Sequence, residues 1–175
     1  MENEELKSVA AEEQVQSVEG GKFLSFFLGK EEYALEILQV QEIIGLMPIT
    51  PVPKMPHYIK GVLNLRGKIV PVMDLRTRFG MEEIEHTEET CIIVVQEKQY
   101  LMGIVVDKVS EVADIEGSQI EDVPSVGAVD KNEYLLGIGK IKDQVKMIVD
   151  VNRVLFEVPD EVLDTNGKTA AGAVA

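Results

Sequence analysis

The chain repeats itself, and this constrains its fold more than any other feature. Moved along by 76 positions, YIKGVLNLRGKIVPVMDLRTRF (58–79) falls without a gap on YLLGIGKIKDQVKMIVDVNRVL (134–155). Tyr58 and Tyr134, Gly61 and Gly137, and Asp74 and Asp150 are identical, while Val62/Ile138, Leu65/Ile141, Arg66/Lys142, Ile69/Val145 and Phe79/Leu155 are alike in kind. Upstream, KEEYALEILQVQEI (30–43) matches EKQYLMGIVVDKVSEV (97–112) with a two-residue gap, and PVP (51–53) matches DVP (122–124). The matches keep one order through the body of the chain. They define two related units, about 22–80 and 90–156. A unit of that size buries a limited fraction of its surface and is marginal alone, so the two are expected to pack together. Two packed copies leave a groove between them and two non-equivalent outer faces.

Each unit reads as strand. KFLSFFL (22–28) and EYALEIL (32–38) flank a turn at Gly29-Lys30, and VLNL (62–65) and KIVPVMDL (68–75) flank Arg66-Gly67. TCIIVVQ (90–96) and YLMGIVVDKV (100–109) flank Glu97-Lys98, and YLLGIGKI (134–141) precedes QVKMIVDV (144–151). Short β-rich runs broken by turn residues argue for barrels or a sandwich rather than a doubly wound sheet. Four prolines confine 45–56 to an edge strand and an irregular connection. A short helix is expected from Asp74 to Phe79, capped by Asp74 and stopped by Gly80. NRVLFEV (152–158) suits a closing helical turn, and MEEIEHTEE (81–89) a hydrophilic linker. Residues 1–21 and 159–175 are expected to be flexible tails, too poor in core residues to offset the entropy of ordering. The first is acidic, with six acids and one lysine.

The net charge of −14 argues against nonspecific binding to nucleic acid or to an anionic membrane, both of which need a basic face. No apolar run approaches the ~20 residues that span a bilayer. The N-terminus lacks the layout of an export signal. With a single cysteine, Cys91, these features point to a cytoplasmic setting. One basic island interrupts the acid: Lys54, Lys60, Arg66, Lys68, Arg76 and Arg78, with Asp74 the single acid among them. It reads as a solvated face or as a docking surface for an acidic partner.

The residues that enzymes need do not assemble in the sequence. His57 and His86 sit in polar loops, and no metal-ligand spacing, phosphate loop or nucleophile elbow occurs. Without tryptophan, a base-stacking platform is not expected either. A binding protein without metal or cofactor is the better class. The competing reading is a small acidic β-barrel enzyme or ligand-binding protein, which would need a concave pocket holding ionisable groups of shifted acidity.

EEYALEILQVQEI (31–43), followed by YIKGVLNLRGKIVPVMDLR (58–76), resembles CheW, the chemotaxis coupling family, and EYLLGIGKI (133–141) and MIVDVNRVL (147–155) resemble its second half. The resemblance covers about 22–158. It implies a mostly β fold of two packed, related five-stranded, SH3-like barrels with short helices. The pattern leaves open whether each barrel is one contiguous half or exchanges strands with the other. The resemblance also implies an adaptor without enzymatic activity. Such an adaptor joins the cytoplasmic tips of methyl-accepting chemoreceptors to the regulatory domain of the histidine kinase CheA. With 175 residues there is no space for the kinase domains, nor for the further ~120-residue receiver of a coupling–receiver fusion, so a standalone adaptor is expected.

The arginine of N-L-R-G lies at the family's coupling surface, which assigns that role to Arg66. Arginine's fixed donors and apolar stem make it a good interface anchor. Asn64 is expected to fix the loop that presents it, and Gly61 and Gly67 to serve backbone geometry, where side chains would block close approach. Val40, Glu42 and Ile43 are candidates for an exposed lip of the groove, and Ile37 suits either that lip or the core. Val105 and Val109 would flank the groove from the second unit. An amphipathic helix of a receptor tip would dock there through apolar anchors.

Overall fold

The computed structural model describes residues 19–124 and 133–155. Residues 1–18 of the expected N-terminal tail, the expected C-terminal tail and the last residues of the closing turn lie outside them, while Gly21, expected in the tail, opens the first strand. Eleven strands and two short helices are present among the described residues. The first unit supplies β1 (Gly21–Leu28), β2 (Glu31–Glu36), β3 (Val40–Gly45), β4 (Ile59–Leu65), β5 (Lys68–Asp74) and α1 (Leu75–Arg78). The second supplies β6 (Cys91–Glu97), β7 (Tyr100–Val106), β8 (Lys108–Ile115), β9 (Ile120–Glu121), β10 (Leu135–Ile141), β11 (Gln144–Val149) and α2 (Val151–Leu155).

The units exchange their first hairpins. One sheet runs β8-β1-β2-β11-β10-β9 and the other β3-β6-β7-β5-β4. Hairpin β1–β2 therefore sits among strands of the second unit, and β6–β7 among strands of the first. Both insertions use a parallel pair, β2 with β11 and β5 with β7. The fold is mostly β, as the turn spacing predicts. Among the described residues it consists of two sheets, of six and five strands, and their pairing does not show the closed five-stranded barrels that were expected. The strand expected over 100–109 breaks at Asp107 into β7 and β8. The sequence reading had also passed over β3 as a strand.

Hydrogen-bond register corrects the repeat alignment. Val72 pairs with Gly103, and Ile148, its equivalent at the 76-residue spacing, pairs with Ala34. Ala34 thus corresponds to Gly103 and Tyr33 to Met102, where the sequence match had set Tyr33 on Tyr100. With this register the stretch needs no gap, and Val40 falls on Val109, Glu42 on Glu111 and Ile43 on Val112.

Alternation along the exchanged strands explains their unbroken apolar runs. In β6, Ile93 and Val95 face a central cluster between the sheets, while Ile92 and Val94 face a second cluster within the five-stranded sheet. In β1, Leu24, Phe26 and Leu28 join the central cluster and Phe23 joins a third, inside the six-stranded sheet. Both faces are buried, so neither strand shows a polar period. Among the described residues the central cluster holds 17 buried side chains, against seven and four in the others. At roughly 1.5–3 kcal/mol for each large apolar side chain, the surface between the sheets dominates stability. Neither sheet is a self-sufficient core.

Polar contacts pin the same joints. Asp74 caps α1, accepting from the Arg76 and Thr77 backbone N–H groups, and Gly80 follows at φ +76°. Arg76 donates from Nε and Nη2 to Asp107 at 2.8 and 2.5 Å, and the Gly29 N–H donates to the same carboxylate at 2.6 Å. This clamp ties α1 to the β7–β8 corner and to the β1–β2 turn. Burial raises the pKa of Asp107. The hydrogen bonds from Arg76 and Gly29 outweigh burial and hold it below the ordinary 3.8. Arg78 lies between the equivalent rings of Tyr58 and Tyr134, 4.4 and 5.0 Å from their centroids, and donates to the Val154 carbonyl at 3.0 Å.

The six-stranded sheet encloses a charge. Lys146, 1% exposed, donates to Ser25 Oγ at 2.9 Å and pairs with Glu32 and Glu111 at 2.9 and 3.1 Å. Burial pulls its pKa down, but the two carboxylates prevail and raise it above 10.5, so the ammonium stays charged. At the equivalent places the five-stranded sheet has Val70, Val94 and Leu101, all apolar and packed in its own cluster.

Three predictions rest on these contacts. Lys146→Met strands Glu32 in a low-dielectric site and costs about 3 kcal/mol in urea unfolding. The triple change Ser25→Val, Glu32→Leu, Lys146→Val installs the apolar set of the other sheet and unfolds within about 1 kcal/mol of wild type or above it. Asp107 has a lowered folded-state pKa, so its contribution is full above about pH 4 and is lost as pH falls through the lowered value. Asp107→Asn is therefore less stable than wild type at pH 7, and the gap narrows during acid titration below 3.8.

Candidate functional site

The β4–β5 turn presents the residue on which the coupling expectation rests. Arg66 and Gly67 both have positive φ, +50° and +89°. This is the backbone of a tight hairpin turn whose twist suits the flanking strands, and its first position favours asparagine or glycine. A bulky residue there costs on the order of 1 kcal/mol. The Gly67 N–H donates to Asn64 Oδ1 at 2.8 Å, so Asn64 fixes the turn locally. The Arg66 side chain is 70% exposed and pairs with Glu42 of β3. The hydrogen bond to Glu42, and then its charge, raise the pKa of Arg66, so it stays cationic. This pair links a hairpin tip beyond β4 to β3, the strands at opposite ends of the five-stranded sheet.

The two glycines serve different needs. Gly61 is buried with φ +142°, and a Cβ there would collide with the Thr50 carbonyl, because Thr50 bridges to Val62. The equivalent Gly137 lies under Glu121 in the same way, with a Cβ 2.8 Å from its carbonyl oxygen. Gly67 has open space around it. It supplies the left-handed backbone, not the close approach that was expected.

The other expected residues separate. Glu42 and Ile43 share β3, with Ile43 44% exposed. Ile69, 37% exposed, follows the Arg66 turn. Val40, expected on an exposed lip, is half-buried against the central cluster, as are Ile37 and Val109. Ile37 thus takes its core reading. Val105 is 5% exposed within the cluster of the five-stranded sheet and cannot flank a groove. None of the ten lines the three open clefts described, of about 460, 540 and 360 Å3. The first of these is apolar and aromatic, with Tyr33, Phe79, Tyr134 and Met147 in its walls.

The basic island is dismantled by the fold. Arg76 and Arg78 serve internal contacts, Lys60 pairs with Glu83, and Arg66 pairs with Glu42. The sequence reading passed over Leu38, which is 93% exposed on the 3-10 turn Ile37–Gln39 between β2 and β3. Its apolar neighbours in ILQV had given the segment the look of core.

Ionisable groups with shifted acidity are engaged in structure. Asp107 is held by Arg76. Burial, reinforced by Glu31, raises the Tyr33 hydroxyl and keeps it protonated. Burial raises the Cys91 thiol. Ser25 beside Lys146 looks like a nucleophile and base, but Ser25 is 0% exposed and the lysine is held charged by two carboxylates. A charged lysine cannot take the serine proton. Among the described residues no group of three potential ligands could hold a metal ion, and no helix is long and apolar enough to cross a membrane.

The family model described as the CheW-like domain matches residues 22–158. The chain belongs to the CheW-like family. It is 39% identical over 150 residues to the chemotaxis protein CheW of Klebsiella aerogenes, covering 86% of this chain and 90% of that one. The chemotaxis protein CheW of Bacillus subtilis is 36% identical over 148 residues, covering 81% and 95%. Among solved structures, the scaffolding protein TtCheW of Thermoanaerobacter tengcongensis superposes with a TM-score of 0.72 at 35% identity, covering 78% of this chain and 93% of that one.

The turn geometry makes its own prediction for this CheW-like chain. Arg66→Asn replaces a disfavoured residue by a favoured one at the left-handed position. The melting temperature should hold or rise slightly, even though the ion pair to Glu42 is lost, because an exposed pair contributes under about 1 kcal/mol. A drop of several degrees would make the Arg66–Glu42 pair a structural element.

Proposed function

We propose that this protein is a non-enzymatic adaptor that couples the cytoplasmic tips of methyl-accepting chemoreceptors to the regulatory domain of the histidine kinase CheA. It would work in the cytoplasm, recruited to membrane-associated receptor arrays. Family membership across 22–158 supports the chemotaxis scaffold role. The single structural observation that carries the finer reading is Arg66, an exposed cation held at a hairpin tip where asparagine would be easier on the backbone. A residue kept against local preference at an exposed tip serves something other than the fold.

The surroundings suit protein contact. Ile43 and Ile69 are exposed on the same sheet, giving apolar area near a charge-bearing turn. An arginine anchor on a surface that also exposes apolar side chains is a common composition for an interface. The enzyme reading has no such support, since the shifted groups are accounted for by internal contacts. Scaffolding here is attachment only, with no bond made or broken.

The test is capture by immobilised receptor cytoplasmic fragment and, separately, by the CheA regulatory domain. Wild type should bind both. Arg66→Glu removes the anchor and faces Glu42 with a like charge, and should weaken receptor capture about thirtyfold, the equivalent of ~2 kcal/mol. Far-UV circular dichroism and melting should stay near wild type. Full capture by a folded Arg66→Glu variant would contradict the assignment.

A further inference from the structure

In the corrected register Leu38 falls on Asp107. The partners of Asp107 also have counterparts: Arg76 corresponds to Asn152 at the 76-residue spacing, and Gly29 to Lys98. Gly29 and Lys98 share the left-handed backbone, at φ +66° and +56°. On one side of the molecule the seam between the units is closed by the Arg76–Asp107–Gly29 clamp. On the equivalent other side the acid is a leucine and the arginine an asparagine, and no ion pair joins them among the described residues.

What replaces the clamp holds an acid but no cation. Gln39 Nε2 donates to Glu97 at 3.5 Å, the outer limit of a hydrogen bond, and the Asn152 amide, turned so that its nitrogen faces the acid, donates to the same Glu97. The turn itself is fixed. Val40 N–H donates to the Ile37 carbonyl, and Ile37 and Val40 pack on the central cluster. Leu38 therefore projects, 93% exposed, from a rigid corner. A preordered apolar side chain loses little conformational freedom on docking. Folding gains nothing from it, since it is as exposed as in an unfolded chain.

We infer that Leu38 is an apolar anchor for the receptor, inserting into a hollow on an amphipathic helix of the receptor tip. This rests on the adaptor reading above. The choice of occupant follows from continuity and charge. Leu38 leads directly into β3, the strand that carries Glu42, the partner of Arg66, and the exposed Ile43, where receptor contact is proposed. Glu36 and Glu97 flank the turn, and neither has a cation among the described ion pairs. The helix that fits carries a lysine or arginine beside its apolar hollow, complementary to these acids and to the net charge of −14.

The experiment is equilibrium binding of receptor cytoplasmic fragment to wild type, Leu38→Ala and Leu38→Asp, with melting curves and capture by the CheA regulatory domain in parallel. Leu38→Ala should weaken receptor binding roughly tenfold, and Leu38→Asp more, with melting and kinase-domain capture unchanged. If wild type binds receptor and Leu38→Asp binds equally well, the Leu38 assignment falls and the adaptor reading stands. Equal loss of kinase-domain capture also overturns the assignment, because the anchor would then not be a receptor contact. If wild type binds no receptor, both readings fall together.

Discussion

Four strand pairings between the halves hold this molecule together, the parallel pairs β2 with β11 and β5 with β7 and the antiparallel pairs β1 with β8 and β3 with β6. Each joins a hairpin of one half to a strand of the other, so neither sheet can be completed by one half of the chain. The central cluster lies between the sheets and draws on strands from both halves. Withdrawing hairpin β6–β7 would strip the five-stranded sheet of its middle and expose both faces of the hairpin. Such an arrangement has few intermediate states of low cost. Long-range pairings of this kind carry a large closure entropy and make folding slow.

On this shared frame the two halves have diverged at matching places. Val70, Val94 and Leu101 in one sheet correspond to Lys146, Ser25 and Glu32 in the other. Glu42 turns outward to Arg66, whereas its counterpart Glu111 turns to Lys146. Asp107 closes a seam that Leu38 leaves open. Yet Ile43 with Val112 and Ile69 with Val145 remain exposed apolar pairs on both sheets. The backbone repeats while the chemistry does not, so the two outer faces differ. An adaptor between unlike partners requires faces that differ in this way.

The hairpins were legible in the sequence because their turns carry chemistry: Gly29, Arg66-Gly67, and the cap and stop at Asp74 and Gly80. Strand exchange was not, because the two halves share one apolar pattern and nothing local names a strand's partner. β3 and β8 were missed for a related reason. They lie at sheet ends, where one face meets solvent, and their mixed composition reads as connection. The break at Asp107 depends on Arg76, 31 residues away, which no window of local sequence contains. Around the candidate site, Asn64 and Gly67 could be read because a tight turn dictates its own residues, whereas Arg66, which that turn disfavours, was singled out by the family resemblance alone. Val105 could not, since a valine in an apolar run faces either side with equal ease. Leu38 was hidden by apolar neighbours and became visible only once exposure was known.

The interlocked architecture is tested most directly by native-state hydrogen exchange on the full chain, following the amides of Val70 and Val72 in β5 and of Lys146 and Ile148 in β11 across a denaturant series. If the halves are completed by each other's hairpins, both sets exchange through one opening whose free energy equals that of global unfolding. If the amides of one sheet exchange through an opening cheaper by more than about 2 kcal/mol while those of the other stay protected, the sheets unfold separately and the interlocked account is wrong.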